Sequence, residues 1–253
     1  MRLASALGPI SLEVLREKYW GRKSLLLVPQ GGVNPLEGLV TLEELEVRLN
    51  DGCASMTNLA VIGPDGGKLP RERLYHRQVG PCWTPEFLRK REVAQHLANG
   101  ASFVLHNMTH VNPRVAQLIS DIETEFPDFA ADAHLYVSPR PGATGYRVHK
   151  DEPQHKLYFQ VFGSTQWTVY KGQHAQRALS ADEARTHLTV DFEAELPPGS
   201  VLYMPPGVFH KATNPTGPRL SLSVPIAPRL GAQAVDRHHI PLVRLMTAQV
   251  GGV

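Results

Sequence analysis

Short apolar runs separated by Pro- and Gly-containing turns fill the chain after Pro127 and constrain the fold more than any other feature. The runs cover residues 134–137, 156–162, 166–170, 188–196, 200–203 and 219–226. Short strands at this spacing are typical of a β-barrel or a β-sandwich. The chain has 21 Gly and 21 Pro among its 253 residues, which also favours a turn-rich β protein over a helical bundle.

Helical patterns dominate the part before Pro127. They cover residues 11–19, 41–49, 84–99 and 112–126, and a further helix at 180–186 interrupts the later strands. Ser11, Ser180 and the Thr41-x-x-Glu44 capping box mark three of the helix starts, and Thr84-Pro85 marks another. Strands are expected at 24–28, 58–62 and 102–107. We therefore predict an α+β, mainly β fold.

We expect a single domain over residues 1–228. Its helical part covers about residues 1–130 and its barrel about residues 131–228, while residues 229–253 form a short C-terminal helix and tail.

Charge and composition limit the partners. The chain has 26 Lys+Arg and 24 Asp+Glu, a net charge of +2, which disfavours nucleic acid as a partner. No run of about 18 apolar residues suggests a membrane span, and the N-terminus does not resemble a signal peptide. Cys53 and Cys82 form no metal-binding or disulfide framework. These features predict a cytoplasmic protein, and they leave a homodimer open.

His149, Asp151 and His210 are the residues most able to carry chemistry. Residues i and i+2 of a strand point to the same face, so His149 and Asp151 can present an imidazole and a carboxylate to one point. His210, after a second Pro-Gly turn, can supply a third ligand. Two His and one carboxylate with open positions suit non-haem Fe(II) oxygenases.

Four ordered motifs surround these residues. They are Leu15-Arg-Glu-Lys-Tyr-Trp-Gly-Arg-Lys-Ser-Leu-Leu26, the segment 134–151 with its Pro-Gly loop and His-x-Asp, Gln160-Val-Phe-Gly-Ser-Thr-Gln-Trp-Thr-Val-Tyr170, and Pro198-Gly-Ser-Val-Leu-Tyr-Met-Pro-Pro-Gly-Val-Phe-His210. In this combination the chain resembles the JmjC branch of the cupin superfamily, in particular the ribosomal-oxygenase-like cupins. The resemblance covers roughly residues 12–226.

The resemblance implies a double-stranded β-helix (a jelly-roll or cupin barrel) with the N-terminal helices packed outside. It implies an Fe(II)- and 2-oxoglutarate-dependent hydroxylase whose metal ligands and catalytic residues are His149, Asp151 and His210. Tyr136 matches a tyrosine that hydrogen-bonds the cosubstrate in the family.

Thr165 departs from the family pattern. The family usually has Lys or Arg at this position, where it binds the distal carboxylate of 2-oxoglutarate, and a hydroxyl cannot supply that charge. Lys156 is our candidate replacement, because it shares the strand face of Gln160, although its side chain can also extend out of the barrel. Arg147 and Arg219 are weaker alternatives.

Two further sequence features concern the predicted pocket and the chain segment between His149 and Gln160. Asn107, Ser221 and Ser223 are polar residues in apolar strands that can line the same pocket. The spacing from His149 to Gln160 is one residue longer than usual in the family, which suggests a bulge after Asp151.

The substrate is the least constrained expectation. Few residues follow the last strand, which makes a ribosomal protein a less favoured substrate and an amino acid, a peptide or another small molecule a more favoured one. Thr165 keeps open a metal-dependent cupin isomerase, lyase or dioxygenase that does not use 2-oxoglutarate. A non-catalytic binding module is disfavoured by the complete set of three ligands.

Overall fold

A computed structural model of the protein describes residues 2–8, 10–31, 33–51, 58–77, 86–143, 145–214 and 216–229. Both cysteines and the helix expected from Gln233 onward lie outside these residues. No helix within the described ranges has the length and hydropathy needed to cross a membrane.

The helices belong mostly to the first half of the chain. They are α1 (Leu3–Leu7), α2 (Leu12–Val14, continuing as a π-turn over Leu15–Tyr19), α3 (Leu42–Asp51), α4 (Arg71–Leu74), α5 (Lys90–Ala98), α6 (Met108–Val111), α7 (Pro113–Glu125) and α8 (Ala181–His187). The capping predictions are confirmed at Ser11 and Ser180, whose side chains accept backbone N–H groups, and at Thr41 with its partner Glu44.

The strands form two main sheets. They are β1 (Leu25–Leu27), β2 (Leu59–Ile62), β3 (Tyr75–Arg77), β4 (Glu86–Leu88), β5 (Ser102–Leu105), β6 (Phe129–Ala131), β7 (His134–Ser138), β8 (Val148–His149), β9 (His155–Phe162), β10 (Thr165–Lys171), β11 (Ala178–Leu179), β12 (Thr189–Leu196), β13 (Val201–Met204), β14 (His210–Thr213) and β15 (Arg219–Pro228). The larger sheet has the order β1-β13-β9-β15-β7-β5-β2, with β6 added beside β15, and the smaller sheet has the order β11-β8-β14-β10-β12.

The large sheet buries a different kind of residue on each face. Leu220, Leu222 and Val224 of β15 lie in the main hydrophobic core together with residues of the helices, such as Leu118 and Ile122 of α7. The alternate residues of β15 point the other way, toward the small sheet, as do their pairing partners on β7 and β9. The helices therefore cover the outer face of this sheet, as predicted, and leave its inner face for the interior between the sheets.

The small sheet closes the other side of that interior. Trp167 and Val169 of β10 pack against Tyr158, Leu202 and Met204 of the large sheet in a second apolar cluster. The architecture is thus α+β, mainly β, and the predicted double-stranded β-helix with external helices is confirmed.

Trp20 joins the N-terminal segment to the barrel. Its ring stacks on Phe126, at the end of α7, with 3.9 Å between centroids, and on His155 of β9 at 4.0 Å. This stack fixes the N-terminal motif against the outer face of the large sheet.

One predicted helix was too long. The pattern at 84–99 predicted a helix from Thr84, but residues Glu86–Leu88 form a strand that pairs with β3, and the helix begins at Lys90. Thr84 and Pro85 lie outside the described residues. Pairing with a distant strand prevails here over the local helix signal.

Candidate metal centre

His149 and His210 face each other across two adjacent strands. They are directly paired in the register of β8 and β14, and their ring centroids are 4.3 Å apart. His210 is buried and His149 is partly exposed. Both side chains therefore reach the same point although 61 residues separate them in the sequence (210 minus 149).

Both imidazole rings are oriented in the same way. Nδ1 of His149 lies 2.8 Å from the carbonyl oxygen of Arg147, and Nδ1 of His210 lies 2.9 Å from that of Val208. A carbonyl only accepts, so each Nδ1 carries the proton and each Nε2 keeps its lone pair for a ligand. Burial lowers the pKa of His210 to about 3, which keeps this ring neutral and able to bind a metal.

Asp151 completes the cluster from a loop. The sequence placed it in the strand of His149 with a bulge behind it, but β8 ends at His149 and residues 150–154 form the connection to β9. This connection accommodates the additional residue, so the predicted bulge after Asp151 is wrong. The ligand atoms of His149, Asp151 and His210 nevertheless lie within 4.8 Å of one another.

One oxygen of Asp151 is available to a cation. Oδ2 is buried and accepts no hydrogen bond of normal geometry from the described chain, although Nζ of Lys156 lies 3.4 Å away and Nε2 of His210 3.7 Å away. Burial raises the pKa of Asp151, but the charge of the Lys156 ammonium outweighs burial and holds the pKa below its usual value. Asp151 is therefore ionised at neutral pH.

Two cavities meet at this cluster. The inner one, of about 30 Å³, is lined by His149 and His210 together with Tyr136, Arg219 and Ser221. The outer one, of about 380 Å³, is lined by both His149 and Asp151 and opens past Arg147 and Arg177. Two His and one carboxylate between an inner cavity and an outer opening fit a metal that must also bind a small ligand.

The comparison with known families agrees with this geometry. A family model described as the JmjC domain matches residues 104–233, which include all three candidate ligands. The chain belongs to the JmjC domain family.

Two curated relatives of this JmjC protein are similar over most of its length. Both are described as bifunctional lysine-specific demethylase and histidyl-hydroxylase NO66. The protein from Dictyostelium discoideum is 26% identical over 220 residues, and the one from Drosophila mojavensis is 26% identical over 212 residues. These matches cover 85% and 81% of this chain, but the chain spans only 40% and 22% of the length of those relatives.

Solved structures share the fold. The Escherichia coli ribosomal oxygenase YcfD matches 97% of this chain and 68% of its own, with a TM-score of 0.57 and 15% identity. The same protein in complex with cobalt and 2-oxoglutarate matches with a TM-score of 0.58 and 16% identity, over 96% of this chain and 67% of its own.

Lys156 of the JmjC barrel points inward, as the strand parity predicted. It pairs with Met204 on one side and Pro225 on the other, and its side chain is 9% exposed. The alternative of an outward-extending side chain is therefore wrong. Its ammonium faces Asp151, so this cation lies at the metal cluster.

Thr165 belongs to a closed hydrogen-bond network around Gln160. The Gln160 amide nitrogen donates to the carbonyls of Phe162 and Gly163, and its oxygen accepts from the hydroxyls of Thr165 (2.8 Å) and Ser221 (2.7 Å). Both hydroxyl protons are thus committed inside the protein. Thr165 is fully buried, and it lies one hydrogen bond away from the residues that line the inner cavity.

The remaining predicted cosubstrate residues divide into two groups. Tyr136 and Ser221 line the inner cavity, as expected, and burial raises the pKa of the Tyr136 hydroxyl, which keeps it a neutral donor. Asn107 is exposed, has a left-handed backbone (φ 59°) and precedes α6, so it does not line this cavity. The strand predicted at 102–107 ends at Leu105, so Asn107 lies beyond it, directly before α6.

Proposed function

We propose that the protein is an Fe(II)- and 2-oxoglutarate-dependent hydroxylase. The observation that carries the proposal is the cluster of two histidine Nε2 atoms and one buried carboxylate oxygen, placed where two cavities meet. The structure of Escherichia coli YcfD in complex with cobalt and 2-oxoglutarate supports the same pairing of metal and cosubstrate in a similar fold.

The donor set fits Fe(II). His149, Asp151 and His210 would hold the ion, and their arrangement leaves positions for other ligands. Bound iron would supply the activation of O₂ by coupling it to oxidation of the 2-oxo acid. The carbonyls of Arg147 and Val208 fix the two imidazoles, and both rings line the inner cavity.

The outer cavity suggests the substrate class. Arg147 and Arg177 line it, and within the described residues neither has a carboxylate partner within 4.0 Å. Among the described residues of this lining, the only carboxylate belongs to Asp151, a proposed metal ligand. We therefore favour an amino acid, peptide or other small molecule that carries a carboxylate or phosphate near the hydroxylated carbon.

Two alternatives have specific support. The names of the relatives favour a ribosomal-protein hydroxylase, although a basic segment of such a protein would meet like charge at Arg147 and Arg177. Thr165 favours a metal-dependent cupin isomerase, lyase or dioxygenase that does not use 2-oxoglutarate. A cytoplasmic location, a homodimer and the domain boundary at residue 228 remain predictions.

The decisive experiment is stepwise anaerobic loading of the purified protein. Fe(II) is added first and 2-oxoglutarate second, and the visible charge-transfer absorption of the chelate is recorded. We expect the absorption in the wild type and none in His149→Ala, whose metal affinity should also fall steeply. A wild type that binds Fe(II) but develops no absorption and makes no succinate with any substrate would favour the chemistry without 2-oxoglutarate.

A further inference from the structure

Arg219 carries a buried positive charge that no carboxylate of the described chain neutralises. The residue is 3% exposed and begins β15, on the strand face that points into the barrel. Among the described residues no Asp or Glu oxygen lies within 4.0 Å of its guanidinium, in contrast to Lys156, which has Asp151. Burial lowers the pKa of Arg219 to about 10, so the group stays charged at neutral pH.

Two hydroxyls hold the guanidinium in place. Nε donates to Oγ of Ser138 at 3.1 Å, and Nη1 donates to Oγ1 of Thr165 at 3.2 Å. A guanidinium has five N–H groups, so these two bonds leave three without a protein partner in the described chain. A buried charge is costly unless an opposite charge compensates it, and this arrangement therefore suits a bound anion.

The cavity in front of Arg219 also reaches the candidate metal cluster. Two of the three candidate ligands, His149 and His210, line the same inner cavity as Arg219, and so do Tyr136 and Ser221. A ligand that chelates a metal at one end and carries an anion at the other would satisfy both parts of this cavity. A 2-oxo dicarboxylate has this chemistry, and a 2-oxo monocarboxylate lacks the second charge.

We propose that Arg219 binds the distal carboxylate of the 2-oxo acid cosubstrate, with Ser138 and Thr165 positioning its guanidinium. This inference rests on the proposed function, because it concerns the cosubstrate of the same site. Lys156, the replacement favoured by the sequence, instead compensates Asp151 at the metal end of the cavity.

The threonine at position 165 then has a physical reason. Its hydroxyl donates to Gln160 and accepts from Arg219, which makes it a neutral link between the amide and the guanidinium. A lysine at this position would bring a second buried cation against Arg219, and like charges in a dry interior repel strongly. A neutral hydroxyl at 165 and a cation at 219 are therefore physically compatible, whereas a cation at both positions would not be.

The test measures binding rather than turnover. The Mn(II)-loaded full-length protein is titrated in a calorimeter with 2-oxoglutarate and with 2-oxopentanoate, which has the same chain length without the distal carboxylate. We expect the wild type to prefer 2-oxoglutarate, and Arg219→Met to lose about 10- to 100-fold in affinity for it, the value of a charge-assisted hydrogen-bonded pair. Affinity for 2-oxopentanoate should stay within about 3-fold, which also shows that the variant site is folded.

Lys156→Met is the matched control, because it removes the other buried cation of the barrel interior. It should leave the ratio of the two affinities near the wild-type value. Arg219→Lys, which keeps a charge, should retain part of the preference. In Arg219→Met combined with Thr165→Lys, the relocated cation should restore a preference of at least about 5-fold, within the range of one charged hydrogen bond.

The outcomes separate the two proposals. If the wild type prefers 2-oxoglutarate and Arg219→Met keeps that preference, Arg219 is not the anchor, while the proposed function stands. If Lys156→Met abolishes the preference instead, Lys156 is the anchor and the inference is overturned. If the metal-loaded wild type binds neither acid, the proposed function fails, and the assignment of Arg219 fails with it.

Discussion

Replacing Lys156 by Met should destabilise the metal-free protein and make its stability depend more strongly on metal. Among the described residues, Lys156 is the cation nearest to the half-buried Asp151 carboxylate, with Nζ 3.4 Å from the buried Oδ2. Met keeps most of the apolar stem of the side chain and removes only the charge. The metal-free variant then holds Asp151 without its main compensating charge, and a bound divalent ion can supply that compensation.

Two estimates limit the size of this effect. At 3.4 Å and an effective dielectric constant of about 20, the attraction between the two charges is about 5 kcal/mol. The loss of unfolding free energy cannot exceed about 4 kcal/mol, because the variant can protonate Asp151 instead of keeping an uncompensated charge. That is the cost of protonating a carboxyl group at pH 7, roughly three pH units above its ordinary pKa. Removing the buried ammonium returns part of this loss, so we expect about 2–4 kcal/mol, or a melting temperature roughly 5–15 °C lower.

The assay is thermal unfolding with chelator and with excess Mn(II). The rise in melting temperature on adding Mn(II) should be larger in Lys156→Met than in the wild type. Lys171→Met is the control: Nζ of Lys171 lies closer to its partner Asp191, at 2.5 Å, but its side chain is 72% exposed, and we expect a loss below about 1 kcal/mol. Equal losses in the two variants, or an equal response to metal in Lys156→Met and the wild type, would refute this reasoning.

Three further predictions concern stability. Burial lowers the pKa of His155 to about 4, and the Tyr203 hydroxyl, 2.8 Å away, is its hydrogen-bond partner. The unfolded chain binds this proton near pH 6.5 and the folded one only near pH 4, so the unfolding free energy should fall as pH drops through this window. In urea titrations at several pH values, the pH dependence of the unfolding free energy should be weaker in His155→Gln than in the wild type by up to about 1.4 kcal/mol per pH unit. An unchanged pH dependence would exclude His155 as a source of this effect. Trp20→Ala removes the stack on Phe126 and His155 and should cost about 3 kcal/mol in chemical denaturation, whereas a loss below about 1 kcal/mol would show that the stack contributes little. Ser180→Ala removes the cap of α8 and should cost about 1 kcal/mol, measured by thermal unfolding, with Ser180→Thr as the variant that should retain stability.

Strand parity in the sequence was a reliable guide to the inner face of the barrel. Lys156 and Gln160 do share one face, and that face does line the site, because side-chain alternation follows from backbone geometry alone. The two histidines were also expected to converge. The His-x-Asp motif and the Pro-Gly turn before His210 are visible in the sequence, and the structure pairs the two histidines directly.

Other features depend on contacts that no local pattern contains. The strand β8 has only two residues, Val148–His149, which is too short for any periodicity, and it exists because it pairs with β11 and β14. Similarly, Arg219 was only a weaker alternative in the sequence, because its hydrogen bond to Thr165 joins strands of two different sheets and depends on the tertiary structure. Its lack of a carboxylate partner becomes visible only when all its neighbours are known.

The alternation along β15 places the residues that line the interior and the residues that stabilise the core on opposite faces of one strand. Leu220, Leu222 and Val224 face the helices and support the core, whereas Arg219, Ser221 and Ser223 face the interior. If the proposed role of Arg219 holds, substitutions at the odd-numbered positions should change which small acids bind in the barrel, while the even-numbered positions maintain the folded state. A library restricted to one parity of this strand would explore ligand preference while keeping most of its members folded.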